Sequence, residues 1–211
     1  MQCLLSEAIR LDNGILYNMD YHNRRCNSAR RELFKACNPI DLSEHINVDQ
    51  KTSGMYKVRV VYDVEVISVN FEPYHIKPVK SLRVVECPNI SYRYKYCDRS
   101  IINELMQMRK DCDDIIITVN GIISDASSSN LVFVENETGA YFTPKTCMLR
   151  GTTISRLIEE GAVKEELLNI TDISRFSEVH LVNAMVDMCQ KVVPVRNIKG
   201  IAGLYSSDDS R

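Results

Sequence analysis

The chain has no tryptophan, only 8 glycines and 6 prolines, and no run of one charge sign. Twenty-six Lys and Arg face 28 Asp and Glu, for a formal charge of -2. That balance offers no cationic field to draw in DNA or RNA, so a nucleic-acid partner is not expected. No apolar run approaches the roughly 20 residues of a membrane span, so no membrane partner is expected either. The opening MQCLLSEAIR carries an acid where a signal peptide would be cationic, which predicts a cytoplasmic protein. There is no C-x-x-C pair among the 8 cysteines, which excludes zinc-ribbon and thioredoxin readings and leaves free thiols. His22, His45, His75 and His180 show no metal-ligand spacing.

What is present is a 45% hydrophobic chain of 211 residues, long enough to bury a core as one domain or two. Leu4 to Leu16 reads as a hairpin about Asp12-Asn13-Gly14. His22 to Ala36 has a helical stripe of Cys26, Ala29, Leu33 and Phe34. Met55 to Tyr62 is a β-branched strand with Arg59 inside it, and Val64 to Phe71 is a second. Pro73, Pro78 and Pro88 then mark a crossing to the second part.

There, Tyr92 to Tyr96 reads as extended chain entering a helix that Asp98 caps, with Ile101, Ile102, Leu105 and Met108 as its buried stripe. Ile115 to Val119 and Ile122-Ile123 flank Asn120-Gly121, a strong hairpin signal. Leu131 to Val134 and Tyr141-Phe142 form a strand pair. Thr152-Thr153 precede a short helix closed by Gly161. Val179 to Val182 is a strand, and Val192 to Val195 an edge strand or turn. Ser206 to Arg211 reads as a frayed end.

Four features suit chemistry. Lys95 sits among tyrosines, and a lysine in a dry site loses its proton more easily and turns nucleophilic. Asp125 precedes a run of small hydroxyl residues that would allow close approach to a ligand. Gly151-Thr152-Thr153 opens a helix, whose free N–H groups attract anions. Arg59 could turn its planar fork toward a phosphate. Each has an ordinary reading as a surface charge, a loop or a plain cap; their order is more telling than any one.

Lys95-Tyr96-Cys97-Asp98-Arg99 resembles the lysine motif of the class IV (fold-type IV) pyridoxal-phosphate-dependent aminotransferases. The likeness runs on through Asp113-Asp114-Ile115-Ile116, Asn120-Gly121, Ser129-Asn130-Leu131-Val132-Phe133, Thr143-Pro144, Leu149 to Thr153, Asn183-Ala184-Met185 and Pro194-Val195. Ser6 to Arg10, Asn13-Gly14 and His22-Asn23-Arg24-Arg25 resemble the family's opening strand, turn and helix. The resemblance spans about Leu4 to Gly200.

The resemblance implies an α+β fold of two α/β subdomains, 1–88 and 89–211, with pyridoxal phosphate between them in a homodimer. Lys95 would be the Schiff-base lysine and proton carrier. Arg59, with Thr152 and Thr153, would bind the phosphate. Asn183 and Ala184 would complete that pocket or touch the substrate, a small amino compound. Asp125 stands where the family usually has Glu, pairing with the pyridine nitrogen. If Tyr92 to Tyr96 is a strand, alternation puts Arg93 beside Lys95 and makes it a weak candidate for a substrate carboxylate. The chain begins almost at the Glu7 region, later than other family members, which loosens any transfer of substrate identity. Asn183-Ala184-Met185 is closer to the 4-amino-4-deoxychorismate lyases than to the branched-chain or D-amino-acid aminotransferases. The expected reaction is therefore pyruvate elimination giving p-aminobenzoate for folate synthesis. Amino transfer is the alternative, and cofactor binding without turnover the third reading.

Overall fold

The computed structural model describes residues 3–48 and 53–201. Strand β1 (Leu5–Asp12) turns at Asn13 and Gly14 into β2 (Ile15–Leu16). Both turn residues have positive φ, 48° and 84°, the mirror-image turn whose twist matches that of paired strands. Helix α1 (Met19–Phe34) follows, then β3 (Met55–Tyr62) and β4 (Val66–Pro73). These strands form one antiparallel sheet in the order β2-β1-β3-β4. Period-2 alternation puts Leu5, Ile9, Leu11, Val58 and Val60 on one face, and there α1 packs its Cys26 and Ala29.

The rest of the chain gives β5 (Leu82–Glu86), α2 (Ser100–Gln107), β6 (Asp114–Val119), β7 (Ile122–Ala126), β8 (Asn130–Glu135) and β9 (Tyr141–Pro144). Then come α3 (Thr152–Glu159), β10 (Lys164–Glu166), β11 (Phe176–Val182), β12 (Val192–Pro194) and β13 (Ile198–Lys199). Two further sheets result, ordered β10-β9-β8-β11-β12 and β13-β5-β6-β7. Their apolar faces meet in one core that includes Leu82, Ile116, Phe133, Phe176 and Val193. The α+β class expected from the sequence holds.

Several local expectations need correction. The proline-rich crossing hides β5, which pairs in parallel with β6 through Leu82↔Asp114 to Glu86↔Thr118. β5 therefore belongs to the sheet β13-β5-β6-β7 and not to the first sheet. Helix α2 buries Ile102 and Leu105, but Ile101 and Met108 are exposed; the helix ends at Gln107, so Met108 lies past it. Asp98 does accept the Ser100 N–H at 2.9 Å, one residue ahead of the position that caps the helix. The 206–211 segment lies outside the described residues. All eight cysteines are free thiols. No helix among the described residues is long and apolar enough to cross a membrane.

The two parts of the chain meet at α1 and α3. There Glu159 accepts from Arg24 Nη1 at 3.0 Å and from the Tyr21 hydroxyl at 3.0 Å. Beside it lies a cleft walled by β1, β3, the 92–99 segment, the loops after β7 and β11, and the chain entering α3.

Candidate active site

The cleft contains a cavity of about 370 Å³. Of the residues named from the sequence, Lys95, Arg59, Asp125, Thr152, Asn183 and Ala184 line it. Thr153 and Arg93 do not.

Lys95 is held by its backbone. Its carbonyl accepts the Ser6 N–H at 2.9 Å, and the Cys97 N–H donates to Leu4 O at 2.9 Å, so 95–97 adds a short bridge to the edge of β1. Its amine has no hydrogen-bond or ion-pair partner among the described residues. The cavity walls strip water from that amine and lower its pKa to about 8, helped most by the charge of Arg25 and then by Arg99 and Arg59, while Glu7 opposes them. A buried amine that sheds its proton near neutral pH is a nucleophile.

The segment before it is not a strand. Only Tyr96 pairs, with Leu5, so the alternation that would turn Arg93 inward does not apply. Arg93 is exposed and paired with Glu32 at 3.2 Å. Tyr92 and Tyr96 stand beside Lys95 instead, with their rings edge to face at 5.7 Å.

Asp125 lies on β7 and is buried. Its Oδ1 accepts from Asn130 Nδ2 at 2.7 Å, and its Oδ2 from the Met148 N–H at 2.7 Å and the Leu149 N–H at 3.2 Å. Burial nevertheless wins over these three bonds and pushes its carboxyl up to about 7. Asn130 in turn accepts the Gly151 N–H at 3.1 Å. A Cβ on Gly151 would sit 2.3 Å from Asn130 Oδ1, so only glycine lets the chain pass there.

Gly151 is the N-cap of α3, which begins at Thr152, two residues earlier than the sequence suggested. The Thr153 hydroxyl donates to Asn183 O at 2.8 Å and is already committed. The Asn183 side chain holds the loop after β7, donating to Ser128 O and Ser129 Oγ, both at 3.1 Å. Asn183, Ala184 and Met185 thus form one wall of the cavity.

Arg25 is the residue the sequence undervalued. It lines the cavity and donates to Arg150 O at 3.2 Å, immediately before the start of α3. Its Nε and Nη2 grip Glu7 at 2.9 Å and 2.5 Å. Arg59, on β3 opposite Ala8, also lines the cavity, yet its guanidinium has no hydrogen-bond or ion-pair partner among the described residues. The sequence signal for Arg25 was its place in His22-Asn23-Arg24-Arg25; nothing in that motif tells which arginine turns inward.

An amine, a buried carboxyl, a cationic wall and a helix start in one cleft define a site for amine chemistry on an anionic ligand. The chain belongs to the class IV aminotransferase family, whose model matches residues 4–198. That is a family of pyridoxal-phosphate-dependent enzymes. An uncharacterized protein from Haemophilus influenzae is 32% identical over 184 residues, 86% of this chain and 97% of that one. The crystal structure of a candidate 4-amino-4-deoxychorismate lyase from Haemophilus somnus superposes with a TM-score of 0.82 at 27% identity, covering 89% of this chain and 99% of that one. The PLP-bound form of a hypothetical aminotransferase from Mycobacterium tuberculosis shares the fold, with a TM-score of 0.75 at 16% identity over 94% of this chain and 82% of that one.

Proposed function

We propose that this chain is a pyridoxal-phosphate enzyme that converts 4-amino-4-deoxychorismate into p-aminobenzoate and pyruvate, a reaction of folate synthesis. The observation that carries the proposal is the unpartnered Lys95 amine, held in the same cavity as the buried Asp125 carboxyl. The donor set fits the cofactor. Lys95 suits its aldehyde and Asp125 its ring nitrogen. Arg25 and the N–H groups at the start of α3 suit its phosphate. When bound, pyridoxal phosphate supplies an aldehyde that condenses with amines and a ring that draws electrons from the substrate carbon.

In this reading Arg25 takes the phosphate role first expected of Arg59, because Arg25 is tied to Arg150 O beside α3. Arg59, without a partner, is then left to receive a substrate carboxylate. Lys95 Nζ takes the proton from the carbon that bears the amino group and returns one to the departing pyruvyl group as its C–O bond breaks. Asp125 holds the proton that the ring nitrogen needs. Tyr92 and Tyr96 exclude water beside Lys95.

The wall made by Asn183, Ala184 and Met185 supports lyase over aminotransferase chemistry, as does the likeness to the Haemophilus somnus protein. A cytoplasmic homodimer completes the proposal. The test is purified protein, pyridoxal phosphate and aminodeoxychorismate, followed by p-aminobenzoate fluorescence. Equal amounts of p-aminobenzoate and pyruvate are expected. Amino transfer to pyruvate or 2-oxoglutarate without p-aminobenzoate contradicts the lyase, and no turnover with any amine leaves a binding protein.

A further inference from the structure

Five cations line the cavity: Arg25, Lys57, Arg59, Lys95 and Arg99, of which Lys57 is paired with Glu72 at 2.6 Å. Like charges held in one poorly solvated cleft repel one another, so such a cluster calls for a counterion. Asp125 is a poor one, since burial keeps its carboxyl largely protonated up to about pH 7. Glu7 on β1 is the other acid of the lining, and it is completely buried.

Both carboxylate oxygens of Glu7 are bonded to groups near the site. Oε1 takes Arg25 Nε at 2.9 Å; Oε2 takes Arg25 Nη2 at 2.5 Å and His22 Nδ1 at 2.6 Å. Burial works against the carboxylate, but Arg25 and His22 prevail and hold its pKa at about 2. Glu7 is therefore an anion and only accepts, so Nδ1 of His22 carries the proton. Burial lowers the His22 pKa, which leaves its Nε2 an acceptor for the Thr152 hydroxyl 3.4 Å away at the start of α3. Tyr62 and Cys26 also face Glu7, and burial with that negative charge keeps both protonated. One carboxylate thus touches the arginine that reaches α3 and the histidine that reaches α3.

We propose that Glu7 is a positioning residue and the counterion of the cleft: it seats Arg25 against the start of α3 and, by cancelling that charge, lets the Lys95 amine share the cavity with three guanidinium groups. The proposal rests on Lys95 being the reactive amine.

The test titrates Lys95 itself, in the full chain freed of cofactor. Brief acetic anhydride pulses from pH 6 to pH 11, read by mass spectrometry at Lys95, give the midpoint of its reactivity. The wild-type midpoint is expected at about 8. Glu7→Gln removes the anion and is expected to lower the midpoint by about one pH unit or more, and Arg25→Gln to raise it by a similar amount. The double variant E7Q/R25Q is expected within about half a unit of wild type. A midpoint unmoved by E7Q, or a double variant as low as E7Q, overturns the proposal. If E7Q does not fold, R25Q decides alone: an unmoved midpoint overturns it. Acetylation involves no cofactor. Failure of the cofactor reading therefore shows separately, as wild-type protein that pyridoxal phosphate and borohydride do not label at Lys95.

Discussion

Asn130 clamps Asp125: its amide nitrogen donates to the carboxyl at 2.7 Å while its amide oxygen accepts the Gly151 N–H at 3.1 Å. A third bond, to Leu149 O at 2.9 Å, completes its set. One buried side chain therefore fixes both the acid of the site and the entry to α3. Asn130→Ala strips a bond from Asp125 and leaves the Gly151 N–H and Leu149 O short of a partner. Urea unfolding should show a loss of about 2–4 kcal/mol, since each buried polar group left unmade costs about 1–3 kcal/mol. The Asp125 pKa should rise further. A variant as stable as wild type contradicts the clamp.

Gly151→Ala attacks the same junction from the other side. Its backbone, with φ -71° and ψ 157°, suits any residue, so the cost is one of space. The new Cβ would meet Asn130 Oδ1 at 2.3 Å, and three hydrogen bonds prevent that side chain from yielding. A loss of about 1–3 kcal/mol is expected. The loss should shrink in an Asn130→Ser background, where the obstructing atom is gone. Equal losses in both backgrounds would locate the strain elsewhere.

The cofactor-free chain should lose stability as pH rises from about 4 to about 7. Across that window folded Asp125 keeps a proton that the unfolded chain has released, because burial lifts its carboxyl to about 7. Stability then falls by up to about 1.4 kcal/mol per pH unit. Glu7 acts with the opposite sign and lower down: its stabilisation is complete above its ordinary 4.5 and is lost as pH falls toward about 2. Urea midpoints at pH 4.5, 5.5 and 6.5 check this. Asp125→Asn should flatten the slope between those points, and an unchanged slope would assign it to another group.

The Arg24–Glu159 pair joins α1 to α3 but stands in water, with side chains 58% and 52% exposed. Solvent and salt screen such pairs. Arg24→Ala should move Tm by less than about 3 °C. A larger drop would mean that the two parts of the chain are held together at this pair and not across the cavity.

The sequence made the local turns legible. Asn13-Gly14 and Asn120-Gly121 supply pairs of residues that accept positive φ, and both hairpins form there. It concealed what depends on distant partners. Strand β5 is five residues long between prolines, and its pairing with β6 reaches across some thirty residues. Arg25 acts through Arg150, 125 positions away. Strand alternation would turn Arg93 inward, but its segment pairs only at Tyr96, and Arg93 faces Glu32 instead. Motif order singles out Lys95, Asp125 and the start of α3, which the fold brings to one cavity; which arginine turns toward that cavity is decided by packing.

Lys95 is the centre of the account, and trapping tests it most directly. The purified chain is mixed with pyridoxal phosphate, reduced with borohydride, digested and read by mass spectrometry. The account predicts one pyridoxyl label, on Lys95, forming faster as pH rises through about 8 and absent in Lys95→Ala. A label on another lysine, or none on Lys95, would contradict it.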